Sequence, residues 1–267
     1  MVREVPLWLK VAAGIFLAGM TLLLLGPLVV VLGVSVSESQ FIAFPPQGLS
    51  LKWYAQVFGD ARYLVSFRQS LVLALIVTGL ASLFGGASAI AIHRRAIPGA
   101  GILATIFLSP LILPTIIYAV GMLMFWSATF GAVSFLTLVI GHTVICIPYV
   151  LRTTLAVLSE SDPYLEEAAR TMGAGRLARL WFVVLPQCLP GLAAGMFFAF
   201  NISFDEAVLS LFLRQPDLTT LPVRVYGQLE FSPDPSVAAV SSIMIGVTVL
   251  LLLLADRILG LKRFSEG

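Results

Sequence analysis

Apolar residues in this chain come in long blocks, and polar residues gather between them. Six blocks stand out, at about residues 11–34, 70–92, 102–126, 133–150, 191–213 and 237–255. Each approaches the roughly 20 consecutive apolar residues that a helix needs to cross a bilayer. No stretch alternates apolar and polar at the period of a barrel strand. The blocks therefore predict an all-α, polytopic membrane protein with six transmembrane helices in one domain over residues 1–267. The fourth block is the shortest. The first follows Arg3 and Lys10 and runs for 24 residues, and the residues just after it give no convincing small-x-small cleavage site. It reads as a retained span, not as a signal peptide.

Composition sharpens this picture. Hydrophobic residues make up 59% of the 267, and charged residues only 11%, against about a quarter in a soluble domain. Mean hydropathy is +1.00. A net charge of +2 gives no reason to expect a nucleic-acid partner, and two cysteines, Cys146 and Cys188, give no disulfide framework. Charge placement sets the orientation. With both termini in the cytoplasm, the inner segments hold Arg3, Lys10, Arg94, Arg95, Arg152, Arg170, Arg176, Arg179, Arg257, Lys262 and Arg263. The outer segments hold Lys52, Arg62, Arg68, Arg214 and Arg224. Cytoplasmic segments carry the excess of Lys and Arg, so the long polar segment 151–190 is expected inside.

That segment reads as two short helices joined at a bend. Asp162 can cap the first and Pro163 suits its first turn. Glu166 and Glu167 then sit where the helix dipole favours negative charge. Gly173 and Gly175 can take the left-handed conformation that ends a helix. Arg176 and Arg179 share one face of the second helix, with Leu177, Leu180, Trp181 and Val184 on another, and Pro186 closes it. The order Glu167-Ala168-Ala169, three residues (Arg170, Thr171, Met172), Gly173, nine residues, Val183, one residue, Leu185-Pro186 resembles the signature of membrane permease subunits of bacterial ABC importers. Val183 stands where isoleucine is usual. The resemblance implies the ABC importer type I permease fold in the bacterial cell inner membrane. It also implies that Glu167, Ala168, Ala169, Arg170, Thr171, Met172, Gly173, Leu185 and Pro186 couple the chain to an ATPase. The partners it implies are a pair of ABC ATPase subunits, a second, homologous permease subunit and a soluble periplasmic substrate-binding protein.

Outside the bilayer, Pro45-Pro46 and Gly48 mark a turn, and residues 53–58 look like a short interfacial helix with Trp53 and Tyr54 at headgroup level. Pro46-x-Gly48-Leu49-Ser50 followed by Trp53-Tyr54 resembles the spermidine/putrescine-type branch of the permeases, as do Leu221-Pro222 and the Ser232-Pro233 ahead of the last span. Pro110 and Pro114 are expected to kink the third span. In the fifth, Asn201, Ser203, Asp205 and Glu206 interrupt an apolar run. A charge at mid-bilayer costs roughly 2.5–3.5 kcal/mol on insertion scales, so these acids need water, a cation or a partner. Fourteen residues beyond Gly191, or roughly 21 Å at 1.5 Å per residue, Asp205 falls past the midplane toward the outside. The four residues are candidates for the pathway of a cationic solute. The competing reading, which weighs more for Glu206 than for Asp205, is that an acid pairs with an arginine or reaches the headgroup region, there or on a companion subunit.

No Gly-x-x-x-x-Gly-Lys-Ser/Thr occurs, and none of the three lysines follows a glycine, so no phosphate-cradling loop of that type is present. The chain is expected not to be an enzyme, and to hold no cofactor and no metal. If ATP drives transport, another subunit hydrolyses it. A secondary transporter using Asp205 and Glu206 as a cation or proton site is the alternative, though it has no use for a docking loop. An intramembrane hydrolase would need His93 or His142 as a base. His93 flanks Arg94 and Arg95, and His142 fits an interhelical hydrogen bond better.

Overall fold

The computed structural model describes residues 6–94, 98–162, 164–215 and 217–259, with only the backbone at 256, 258 and 259. Arg3, Arg95, Pro163, Lys262 and Arg263 lie outside the described residues. Twelve α-helices follow one another among those described: α1 Leu7–Ser35, α2 Lys52–Gly59, α3 Ala61–His93, α4 Ala100–Leu108, α5 Thr115–Phe130, α6 Phe135–Glu160, α7 Tyr164–Thr171, α8 Arg176–Arg179, α9 Leu185–Asp205, α10 Val208–Phe212, α11 Leu221–Phe231 and α12 Ser236–Leu259. Five helical stretches are long and apolar enough to cross a membrane, and α4 with α5 forms a bent pair that makes a sixth.

The helices differ from the apolar blocks in ways that have physical causes. The block at 133–150 belongs to a helix of 26 residues that runs to Glu160. Hydropathy marks where apolar side chains stop, whereas the helix continues through Arg152, Leu155 and Ala156, which are good helix formers. Its start is fixed by Ser134, whose backbone N–H donates to Thr137 Oγ1 at 2.9 Å in a capping box. The third span is not a kinked helix but a broken one. A 3₁₀ turn at Ser109–Leu111 follows α4, and α5 leaves at 101° to it. Two prolines four residues apart explain this, because Pro114 has no N–H for the Pro110 carbonyl and its ring would clash with it.

The fifth span also shifts. One helical stretch of 30 residues covers Arg176–Asp205 and then stops, and 208–212 form a separate helix. Pro186 therefore does not close the preceding helix. The turn at Leu180–Val184 widens to π geometry, and the Leu185 N–H reaches the Leu180 carbonyl five residues back. The wide turn lets the chain pass Pro186, whose missing N–H would otherwise break the regular ladder. Between Glu160 and Arg176 only a compact knob remains of the long polar loop.

The described residues group into two compact units. The first comprises residues 1–64 and 227–247. There Trp53 is buried, and its indole N–H donates to the Ser37 carbonyl at 2.9 Å; Tyr54 Oη and Ser35 Oγ lie 2.8 Å apart. These aromatics anchor α2 to the end of α1. Tyr63, Val237, Ala239 and Val240 are also buried in this unit.

The second unit comprises residues 65–226 and 248–267. Leu73, Val77 and Ala81, four apart on α3, join Leu138, Val139, Cys146 and Val150 of α6, Ala199 of α9 and Leu209 and Leu213 of α10 in one core. The α6–α9 contact is its main seam, and glycine permits it. A Cβ at Gly191 would lie 2.6 Å from the Thr153 carbonyl oxygen, and one at Gly195 would lie 2.7 Å from Val150 Cα. Backbone meets backbone there, so α9 cannot drift from α6 without loss of packing.

Candidate functional site

Both regions singled out in the sequence fall in the second unit. The knob begins at Asp162, whose Oδ1 accepts from the Tyr164 N–H at 2.9 Å. Its helix α7 ends on Gly173, at φ +86°. The Gly173 N–H reaches Arg170 O at 3.0 Å, and the Ala174 N–H reaches Ala169 O at 3.0 Å. Those two bonds are the Schellman pattern, which a left-handed residue at this position makes possible. Gly175 behaves differently. At φ −65° it is extended and leads into α8.

The two neighbouring glutamates have opposite surroundings. Glu166 takes two bonds from Arg94, at the end of α3, at 3.1 and 2.6 Å. Arg179 lies 3.4 Å from the same carboxylate and also donates to Ala174 O at 3.3 Å. This partly buried clamp ties α3, α7 and α8 together. Glu167 points outward and among the described residues meets only Arg170, at 3.1 Å, with both side chains more than half exposed. Along the same segment Ala168, Arg170, Thr171, Met172 and Gly173 are exposed and Ala169 is half-buried; at the start of α9 Leu185 is half-buried and Pro186 exposed. Met172 is 85% exposed and Leu177 73%, so the knob presents large apolar side chains beside the exposed charges of Glu167 and Arg170. The Arg94–Glu166–Arg179 clamp was not foreseen. Its one signal in the sequence is the surplus of arginine beside a second acid, without any spacing rule to join residues 72 apart.

Asp205 is the last residue of α9 and is exposed. Among the described residues its carboxylate has no hydrogen-bond or ion-pair partner. It also sits at the negative end of a helix, where the final carbonyls lack intrahelical donors. Glu206 is engaged differently. Its Oε1 accepts from the Val208 and Leu209 N–H groups at 2.9 and 3.1 Å, starting α10. Asn201 donates to the Phe197 carbonyl on its own helix at 2.8 Å. Ser203 is buried, and its Oγ lies 3.1 Å from His142 Nδ1. The four residues therefore do not converge on one cavity. Nearby, Phe204 stacks on Phe200 at 5.5 Å and meets Phe67 edge-on at 5.9 Å. Among the described residues no cluster of three or more His, Cys, Asp or Glu side chains could hold a metal ion.

Comparison with known proteins fits these features to a family. Residues 15–262 match the binding-protein-dependent transport system inner membrane component. The chain is 26% identical over 241 residues to the spermidine/putrescine transport system permease protein PotC of Shigella flexneri, covering 90% of this chain and 91% of that one. It is 27% identical over 239 residues to the putrescine transport system permease protein PotI of Escherichia coli strain K12, covering 87% and 84%. A solved bacterial alginate ABC transporter, in complex with an alginate pentasaccharide-bound periplasmic protein, contains a chain that superposes with a TM-score of 0.68. The identity is 14%, over 94% of this chain and 96% of that one, a likeness of fold. The chain belongs to the binding-protein-dependent inner membrane components: it is a multi-pass permease subunit of an ABC importer with the type I permease fold.

Proposed function

We propose that this permease subunit passes a small polyamine, spermidine or putrescine, across the inner membrane after a soluble periplasmic binding protein delivers it. Separate ATPase subunits supply the work. They dock on the cytoplasmic knob, where Glu167, Ala168, Ala169 and Met172 form the contact and Gly173 holds its shape. A second permease subunit completes the pathway. The polyamine relatives support the substrate class, and the observation that carries the reading is the free carboxylate of Asp205 at the negative end of α9. That site repels anions and favours an ammonium group. The Arg176–Asp205 stretch has 30 residues, or about 45 Å of axis at 1.5 Å per residue. It begins beside the knob and ends on the acid, so a push on one end is felt at the other. A carrier driven by an ion gradient would have no role for such a knob.

The test is spermidine uptake into proteoliposomes holding the full transporter. A charge-assisted hydrogen bond contributes about 1.5–3 kcal/mol, so Asp205→Asn should raise the KM for spermidine by at least about tenfold and leave basal ATP hydrolysis intact. Unchanged uptake in Asp205→Asn would remove this acid from the pathway and, with it, the support for a cationic substrate.

A further inference from the structure

The helix that carries Asp205 stops there, and α10 starts only at Val208. Two helical pieces joined by a short link can hinge, and the acid lies at the joint. One residue spans the break from outside. His142 of α6 is fully buried; its Nδ1 lies 3.1 Å from Ser203 Oγ on α9, and its Nε2 lies 3.1 Å from Ser210 Oγ on α10. Ser203 and Ser210 are themselves buried. A neutral imidazole donates through one nitrogen and accepts through the other, and a serine hydroxyl can do either, so both tautomers satisfy both partners. The two ring nitrogens point in different directions, and that lets one side chain reach two helices.

The surrounding contacts hold the ring in place. Tyr118 Oη donates to the Gly141 carbonyl at 3.2 Å, and the Cys146 thiol donates to the Ala199 carbonyl at 3.5 Å. A Cβ at Gly141 would meet Leu209 Cδ2 at 3.2 Å, so α10 lies directly against α6. Among the described residues the hydrogen bonds of the Glu206 side chain go to the start of α10. We infer that His142 is the positioning residue for the acid: by bridging Ser203 and Ser210 it sets the angle of the broken helix and so the place of the Asp205 carboxylate. The link to substrate rests on the proposed function, but the positioning itself does not.

Two readouts in the full reconstituted transporter test this. The first is the rate at which a cationic thiosulfonate labels Asp205→Cys, measured above the parent protein, whose Cys146 and Cys188 are buried. The second is the KM and Vmax of spermidine uptake with Asp205 intact. Breaking a buried hydrogen bond leaves a partner unsatisfied, so His142→Ala should change the labelling rate by about tenfold. It should also raise the KM for spermidine by about tenfold and hold Vmax within about twofold. Ser203→Ala and Ser210→Ala should each give a smaller change of the same kind, and Ser210→Ala should add nothing in the His142→Ala background. If His142→Ala does not assemble, the two serine variants decide by the same readouts. Labelling at position 205 that is unmoved in every assembled variant overturns the inference, even where Asp205→Asn raises the KM. Labelling that moves while KM stays constant leaves the positioning role standing and sinks the substrate role of Asp205 instead.

Discussion

The sharpest consequence concerns two glycines two residues apart in the knob. Gly173 has φ +86°, and nothing lies within 4 Å of where its Cβ would be. Any cost of adding a methyl group there comes from backbone strain, which for an L-residue in the left-handed region is roughly 1–2 kcal/mol. Gly175 also faces open space, but at φ −65°, so Gly175→Ala should stay within about 0.5 kcal/mol. Gly173→Pro is the severe version. It forbids the positive φ and removes the N–H that bonds Arg170 O at 3.0 Å, so the bend itself should be lost, at about 3 kcal/mol or more. About 1.4 kcal/mol is a factor of ten in population. Gly173→Ala should therefore cut the properly bent fraction severalfold where the knob is marginal, and Gly173→Pro should abolish it. The assay is spermidine transported per ATP hydrolysed in proteoliposomes, with membrane insertion followed in parallel. Insertion should stay normal throughout, and the stoichiometry should fall in the order Gly175→Ala, Gly173→Ala, Gly173→Pro. Wild-type stoichiometry in Gly173→Pro, or equal uncoupling at both glycines, would show that the shape of this bend does not carry the work.

Two further outcomes follow from the packing. Glu166→Gln strips the charge from a partly buried clamp and should lower thermal stability in detergent by about 1–3 kcal/mol, whereas Glu167→Gln loses only an exposed pair worth under about 1 kcal/mol and should instead reduce ATPase coupling; stability loss equal in the two would contradict the assignment. Gly191→Ala places a methyl 2.6 Å from a backbone oxygen and should cost about 1–3 kcal/mol through forced separation of α6 and α9; Gly79→Ala, with open space around it, should be neutral or gain up to about 1 kcal/mol of helix propensity, as melting curves of the two variants would show.

Much of the architecture was legible because a bilayer imposes a length scale on apolar runs. The residues that carried the family resemblance were legible for a different reason: they lie within 20 residues of one another, so their spacing survives in the linear sequence. What could not be read has a common cause. The 101° break of the third span follows from Pro110 and Pro114 acting together, and one proline alone would have allowed a kink. The extension of α6 to Glu160 depends on helix propensity after hydropathy has faded. The separation of Glu166 from Glu167 depends on Arg94, far away in the chain. His142 and Ser210 are 68 residues apart and bond at 3.1 Å. No local pattern announces a contact of that range, and a buried histidine in an apolar run points only to some interhelical partner.

The widened turn at Leu180–Val184 then changes how the Leu185-Pro186 pair is understood. A proline in a regular helix would break the ladder at this level and leave a flexible joint between knob and span. Here the break is absorbed within five residues, and the helix continues to Asp205 without a gap. The breaks in helical structure therefore lie at the two ends, at Gly173 in the knob and at the Glu206–Ala207 link beside the acid. Pro190 also lies inside α9, where its missing N–H removes one more rung of the ladder, yet the helix still runs on to Asp205. Gly191 and Gly195 add a further constraint, because they let this stretch pack backbone to backbone against α6. The sequence features that look like helix breakers in the linear chain thus leave one continuous helical stretch between the knob and the acid.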